Sequence, residues 1–231
     1  MKGMILAAGL GTRLKPFTEE HPKALFPYRG KTLLEHAVDH LRSAGITRII
    51  INVHHFAGQI IDFVHSRENF GISVDFSDET GELLETGGGV LKASLFFNDT
   101  DAVVVRNADV ISDLDLREMV TFHRNVEALA TLAVRDRITS RYFLFDEQLV
   151  LQGWENRKTG DRLVVGETSG LLPLAFSGIQ VLDPAILTMT KLSGRFSLTT
   201  LYLEQARTGR IVGYHDTGKT WMDAGKADDL K

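Results

Sequence analysis

MILAAGLGTRLKPFTEEHPKALFP, Met4 to Pro27, is the stretch from which the rest of the chain can be read. Met4-Ile5-Leu6-Ala7-Ala8 is an unbroken apolar run, the pattern of a buried strand. Gly9-Leu10-Gly11-Thr12-Arg13 then supplies backbone free to take positive φ with its N–H groups unshielded. Such amides can converge on phosphate oxygens while Arg13, Lys15 and Lys23 bring positive charge, so one reading is a polyphosphate cradle. The other is a strand ending in a Gly-rich turn with solvated bases. Two familiar phosphate loops do not fit. The dinucleotide fingerprint needs a third glycine where Leu14 stands, and a P-loop needs Gly-Lys-Ser/Thr where Gly11-Thr12-Arg13 stands. Pro16 and Pro22 bar a long helix after the glycines, so the segment to Leu25 is expected as an extended loop over a ligand.

Outward from this stretch, strands and amphipathic helices alternate. Thr32 to Ala44 carries Leu33, Leu34, Ala37, Val38 and Leu41 at helical spacing and stops at Gly45, and Arg48 to Val53 is an apolar strand. A helix over Gln59 to Ser66 precedes a strand at Ile72 to Phe76, and a helix over Gly88 to Phe97 precedes one at Ala102 to Arg106. Strands apolar on both faces predict an α/β fold: a Rossmann-like, mostly parallel (mixed) sheet flanked by helices, with ligands at the carboxyl ends of the strands. The second half is richer in strands, at Ala128 to Val134, Tyr142 to Phe145, Leu149 to Leu151 and Leu174 to Val181, with one helix at Ser197 to Ala206. No linker or repeat interrupts the chain. A single domain over residues 1–231 is expected, its halves meeting near residue 125, with the later strands extending the sheet and closing over its ligand edge.

The 231 residues carry a net charge of −4, so no global basic field advertises nucleic acid and any phosphate must be held by local charge. The absence of cysteine excludes disulfides, thiolate metal sites and a cysteine nucleophile. The N-terminal apolar run is too short for a membrane span and is cut by Gly9 and Gly11, which predicts a soluble, cytoplasmic protein with no membrane partner. The oligomeric state is open.

Asp109, in Asn107-Ala108-Asp109, lies just past the carboxyl end of a strand, on the edge where the opening loop emerges. A carboxylate facing a polyphosphate there is how Mg²⁺ is usually held, and Asp223 in Trp221-Met222-Asp223-Ala224-Gly225 is a second candidate. Either aspartate alone reads equally as a cap or turn former. Leu84 to Val90 is another glycine cluster, where backbone groups can read the edge of a planar base or where Thr86 can cap a helix. Gly213 to Thr220 satisfies the Walker A pattern, but neither a helix nor a downstream strand with a Mg²⁺-binding Asp follows it. His36 and His40, one helical turn apart, lack the His-Glu-Xaa-Xaa-His order and sit among Glu35 and Asp39, as on a solvated face.

With these residues in hand, the chain resembles the sugar-nucleotide pyrophosphorylases, whose signature Leu-x-x-Gly-x-Gly-Thr-Arg-Leu-x-Pro-x-Thr-x-x-x-Pro-Lys-x-Leu is matched from Leu6 to Leu25 at every fixed position. The resemblance continues at Leu84 to Gly88, at Asn107 to Asp109, at Phe176-Ser177-Gly178 and at Trp221 to Asp223. It implies the nucleotide-diphospho-sugar transferase fold and transfer of a nucleotidyl group from an NTP to a sugar 1-phosphate, with Mg²⁺ as cofactor. By the same resemblance Leu6, Ala8, Gly9, Gly11, Thr12, Arg13, Lys23, Glu85, Thr86, Gly88 and Asn107 bind the nucleotide, with Arg13, Lys23 and Asp109 catalytic. Asp109 and Asp223 hold the metal, and Arg141, Glu155, Asn156 and Gly178 take the sugar phosphate. The first half, 1–125, becomes the nucleotide half and 126–231 the sugar-phosphate half. The chain departs from the pattern at Ala108, usually glycine, and at Asn156, where relatives commonly carry lysine. Phe70-Gly71-Ile72-Ser73 and Leu84 to Gly89 are most similar to the N-acetylmuramate 1-phosphate uridylyltransferases of cell-wall recycling (UTP), with mannose 1-phosphate guanylyltransferases (GTP) and other hexose or heptose 1-phosphate enzymes as alternatives. A non-catalytic regulatory subunit is the reading of another class, and loss of Arg13, Lys23, Asp109 or Asp223 would have favoured it.

Overall fold

The structure is a computed structural model, and it describes residues 1–225. Strand β1 (Lys2–Leu6) ends two residues earlier than the apolar run, because the Ala7 amide donates to the Asn52 side chain at 2.7 Å instead of to a ladder partner. The loop to Leu25 is not extended as expected. It coils into three single-turn 3₁₀ helices over Thr12–Leu14, Phe17–Glu19 and Lys23–Leu25, with Pro16 and Pro22 standing before the second and third. A hairpin of β2 (Pro27–Tyr28) and β3 (Lys31–Thr32) leads into α1 (Leu33–Ser43). Thr32 and Glu35 close a capping box, the Glu35 amide donating to the Thr32 hydroxyl at 3.1 Å and the Thr32 amide to the Glu35 carboxylate at 2.7 Å. All five apolar residues predicted for this helix are fully buried, so truncating Leu34 to alanine costs about 2–5 kcal/mol.

The parallel sheet continues with β4 (Arg48–Val53), α2 (Ala57–Ser66), β5 (Ser73–Asp78), α3 (Glu85–Lys92) and β6 (Val103–Asn107). Strand order β6-β1-β4-β5 is parallel throughout. Met4 and Ile5 are both fully buried on opposite faces of β1. Ile5 packs with residues of α1 and α2, and Met4 with Val90 of α3 and Tyr202 of a later helix. Helices on both faces are the reason β1, β4 and β6 are apolar through their middles, whereas the edge strand β5 alternates Ser73, Asp75 and Ser77 with Val74 and Phe76.

After β7 (Val110–Ser112) comes α4 (Leu116–Asn125), a helix absent from the sequence expectation. Its signals are present: Asp115 caps it, accepting from the Arg117 and Glu118 amides, and Leu116, Met119, Val120 and His123 repeat at i, i+3, i+4, i+7. The apolar period closes only if His123 counts as buried, and it does, through a bond to the Thr131 hydroxyl at 2.9 Å.

The remaining strands are β8 (Ala130–Arg135), β9 (Arg141–Phe145), β10 (Leu151–Asn156), β11 (Asp161–Val164) and β12 (Leu172–Leu182). Two helices, α5 (Ala185–Met189) and α6 (Leu198–Gln205), precede β13 (Ile211–His215) and β14 (Trp221–Asp223). Strand β12 joins the halves: its far end runs antiparallel to β6 and β8, its near end antiparallel to β9. The register slips between Phe176 and Gln180, where Gly178 has φ +80° and a β-carbon would stand 2.6 Å from a Val110 methyl. β14 leaves the main sheet and pairs with β7, Asp223 opposite Val110, which returns the chain to the turn holding Asp109.

Candidate active site

A cleft of about 410 Å³ opens at the carboxyl ends of β1 and β6. Leu6, Ala8, Gly9, Gly11, Thr12, Arg13 and Lys23 line it from one side, Glu85 and Thr86 from another, and Asn107 and Asp109 from a third. Gly11 has φ +64°, and its carbonyl accepts the Thr18 hydroxyl at 2.9 Å, which folds the loop back on itself. A side chain at Gly11 would also stand 2.8 Å from the Lys23 stem, so this glycine allows the basic residue to pass underneath.

Lys23 forms an ion pair with Asp109. The Ala224 amide donates to the Asp109 carbonyl at 2.8 Å, and the Gly225 amide donates to the Asp223 carboxylate at 2.9 Å. A methyl placed on Gly225 would lie 2.7 Å from Asp223 Oδ1, 3.0 Å from Asp109 Oδ2 and against the Lys23 ammonium. Two carboxylates and a lysine thus converge on one point, with a glycine leaving the space open. Paired hard oxygen donors beside an anion loop are the donor set of a small divalent cation that completes its shell with phosphate oxygens and water.

Four sequence readings change. Gly88 does not line the cleft: it is buried inside α3, where a β-carbon would press on the Gly194 carbonyl and lie 2.9 Å from Leu84 Cβ. Thr86 does not cap α3, since its hydroxyl accepts from the Leu198 amide of α6 at 3.0 Å. The helix begins at Glu85 and includes all three glycines, because Gly87 meets the Phe196 ring and Gly89 would place a β-carbon 2.5 Å from Glu79 Oε1. Close packing outweighs the helix propensity lost at each, about 1 kcal/mol. None of the four sugar-side candidates lines the cleft: Gly178 stands behind it against Asn107, while Arg141, Glu155 and Asn156 sit together where β9 and β10 pair. Glu155 is held by Arg157 at 2.7 Å.

Two groups went unnoticed in the sequence. Glu79 is fully buried, accepting from Asn52 at 2.7 Å and from the Leu84 amide at 3.1 Å; since Asn52 also holds Ala7, this carboxylate ties the β1 exit to the start of α3. Arg106 is buried beneath the Asn107–Val110 turn, bonding the Val110 and Asn107 carbonyls and His40 Nδ1, the last at 2.6 Å. Burial lowers the Arg106 pKa to about 10. Burial, and then the Arg106 charge, lower His40 to about 4, so at neutral pH the ring is uncharged, accepts from Arg106 and donates from Nε2 to the Leu114 carbonyl at 2.7 Å. His36 instead faces the Tyr28 carbonyl, so the two histidines do not share a site. The Walker-like octet opens in a strand, with Gly213 to His215 in β13, and Lys219 is exposed.

A model of the nucleotidyl transferase family matches residues 2–143. The chain is 31% identical to N-acetylmuramate alpha-1-phosphate uridylyltransferase of Caulobacter vibrioides, over 96% of this chain and 90% of that one. It is 35% identical to a mannose-1-phosphate guanyltransferase of Kluyveromyces lactis, over all of this chain and 63% of that longer one. Among solved structures, HddC from Yersinia pseudotuberculosis complexed with GMP-PN matches 99% of this chain and 96% of its own with a TM-score of 0.79 at 24% identity. The fold is that of the nucleotide-diphospho-sugar transferases, and the chain belongs to the nucleotidyl transferase family. Within that family it is a sugar 1-phosphate nucleotidyltransferase.

Proposed function

We propose that the protein transfers uridylyl from UTP to N-acetylmuramate 1-phosphate, releasing pyrophosphate, as a cytoplasmic enzyme of cell-wall recycling. The observation that carries the chemistry is the convergence of Lys23, Asp109 and Asp223 at the open space beside Gly225, facing the Gly9–Arg13 loop. Gly9, Gly11 and Thr12 hold the triphosphate through backbone groups, and Arg13 neutralises its β- and γ-phosphates. Lys23 leaves Asp109 to meet the α-phosphate. The sugar phosphate is already a nucleophile, so the chain's task is to align two mutually repelling anions and neutralise charge, without a covalent intermediate. Asp109 and Asp223 are the residues that would hold Mg²⁺, which supplies charge neutralisation at the phosphates when bound. Residues 1–125 serve the nucleotide and 126–231 the sugar phosphate, of which 226–231 lie outside the described residues.

The uridylyl reading is supported by the Caulobacter relative, which this chain matches over nearly the full length of both. Transfer from GTP to mannose 1-phosphate is the second reading, favoured by the identity to the Kluyveromyces enzyme. A matrix of nucleoside triphosphates against sugar 1-phosphates, scored by kcat/KM, decides between them. The highest value is expected for UTP with N-acetylmuramate 1-phosphate; a higher value for GTP with mannose 1-phosphate rejects the uridylyl reading and keeps the transfer chemistry.

A further inference from the structure

The loop between β8 and β9 carries a cation that the site described so far does not use. Arg137 lies with its guanidinium 4.3 Å from the centre of the Trp221 ring and donates to the Phe176 carbonyl at 3.0 Å, at the edge of the β12 bulge. Its Nε is buried with no hydrogen-bond partner among the described residues. Arg135 shares the unpartnered Nε and differs in its charge balance. Arg135 also approaches the Trp221 ring, at 5.5 Å, but is neutralised by the buried Asp216 at 3.1 Å and bonds the Gly218 carbonyl. Arg137 forms no ion pair among the described residues, so stacking orients it without neutralising it.

Its direction follows from strand geometry. Trp221 and Asp223 are two residues apart on β14, and alternate residues of a strand face the same side. The ring that carries Arg137 and the Asp223 carboxylate beside Gly225 therefore point the same way. Burial lowers the Arg137 pKa, and the Asp223 carboxylate acts in the opposite direction. A half-buried guanidinium without an ion-pair partner among the described residues, on the same side of β14 as a candidate metal carboxylate and at the Gly178 bulge, is complementary to an oxyanion that arrives with the substrate.

The geometry points to Arg137 as the residue that grips the phosphate of the incoming sugar 1-phosphate. This rests on the site assignment proposed above and extends it to the acceptor. A carboxylate elsewhere on the sugar offers the same oxyanion chemistry, so the test uses acceptors with and without one.

Steady-state kinetics of Arg137→Gln and Arg137→Lys would be measured with UTP and, separately, GTP, against N-acetylmuramate 1-phosphate and mannose 1-phosphate. The expected result for Arg137→Gln is a KM for each acceptor raised by about tenfold or more, the scale of one charged hydrogen bond, with the KM for the triphosphate within about twofold of wild type and partial recovery in Arg137→Lys. An unchanged acceptor KM overturns the proposal, as does an equal rise in triphosphate KM, or a loss confined to the carboxylate-bearing acceptor. If Arg137→Gln does not fold by its melting profile, Arg137→Lys is read alone, where loss of the planar fork must still raise acceptor KM selectively. Wild-type preference for GTP and mannose 1-phosphate would reject the uridylyl reading and leave the Arg137 comparison intact on those substrates.

Discussion

The two halves of the molecule bring their candidate site groups into place in different ways. In residues 1–125 the site is made where parallel strands run out: β1 continues into the Gly9–Arg13 loop and β6 into Asn107–Asp109, so each group lies within a few residues of the strand that positions it. In the second half no group follows the end of a strand of the main parallel sheet. Asp223 is delivered by a return strand pairing with β7, Gly178 by a register slip in β12, and Arg137 by a loop stacked on Trp221. A strand-end site needs mainly local backbone geometry, whereas the second kind depends on contacts between segments far apart in the chain.

This difference predicts graded responses. The largest belongs to the carboxylates that join the halves. Asp109→Asn and Asp223→Asn should each reduce turnover to background at ordinary Mg²⁺ with the fold intact by circular dichroism, and activity persisting in EDTA would show that no metal bridges them. Next is the anion loop. Lys23→Ala and Arg13→Ala should each lower turnover by about a hundredfold or more, the scale for one preorganised charge donor, and near wild-type turnover in either would remove that loop from the chemistry.

A smaller effect tests the Arg106–His40 pair beneath the Asp109 turn. His40 has a folded-state pKa of about 4 against an ordinary value of 6.5, so its stabilising contribution is complete above pH 6.5 and is lost as pH falls toward 4. At about 1.4 kcal/mol per pKa unit, the loss reaches about 3 kcal/mol. Urea unfolding at pH 7, 5.5 and 4.5 should show it, and His40→Gln, which keeps an acceptor for Arg106 and cannot protonate, should have a flatter acid limb. An identical limb in that variant would assign the acid loss to other groups. The smallest effect is expected at Lys219→Ala, where triphosphate affinity by calorimetry should stay within about twofold, because the octet around it is strand and exposed loop.

The same contrast explains what could be read from the chain. The parallel core was legible because residues such as Met4 and Ile5 are both buried, on opposite faces, and leave an apolar run in the sequence. The place of the opening loop at the cleft was legible because glycine and basic residues follow the strand directly, but its coiling into 3₁₀ turns was not. Helix α4 was not, because its period closes through His123, whose burial depends on Thr131 in the next strand. The glycines of α3 looked like a base-reading loop, yet they answer to Phe196, Gly194 and Glu79, contacts that no local pattern records. Arg106 and Arg137 were unreadable for the same reason: a basic residue in a strand or loop looks solvated until its partners from other segments are in place.

The most direct test of the account is pyrophosphate release from the wild-type enzyme with Mg²⁺ and UTP, followed before and after addition of N-acetylmuramate 1-phosphate, with GTP and mannose 1-phosphate run in parallel. The predicted result is no release from either triphosphate alone and, once an accepted sugar 1-phosphate is added, one pyrophosphate for each sugar nucleotide formed. Breakdown of the triphosphate at an undiminished rate without any sugar 1-phosphate, or no product with any pair, would contradict it.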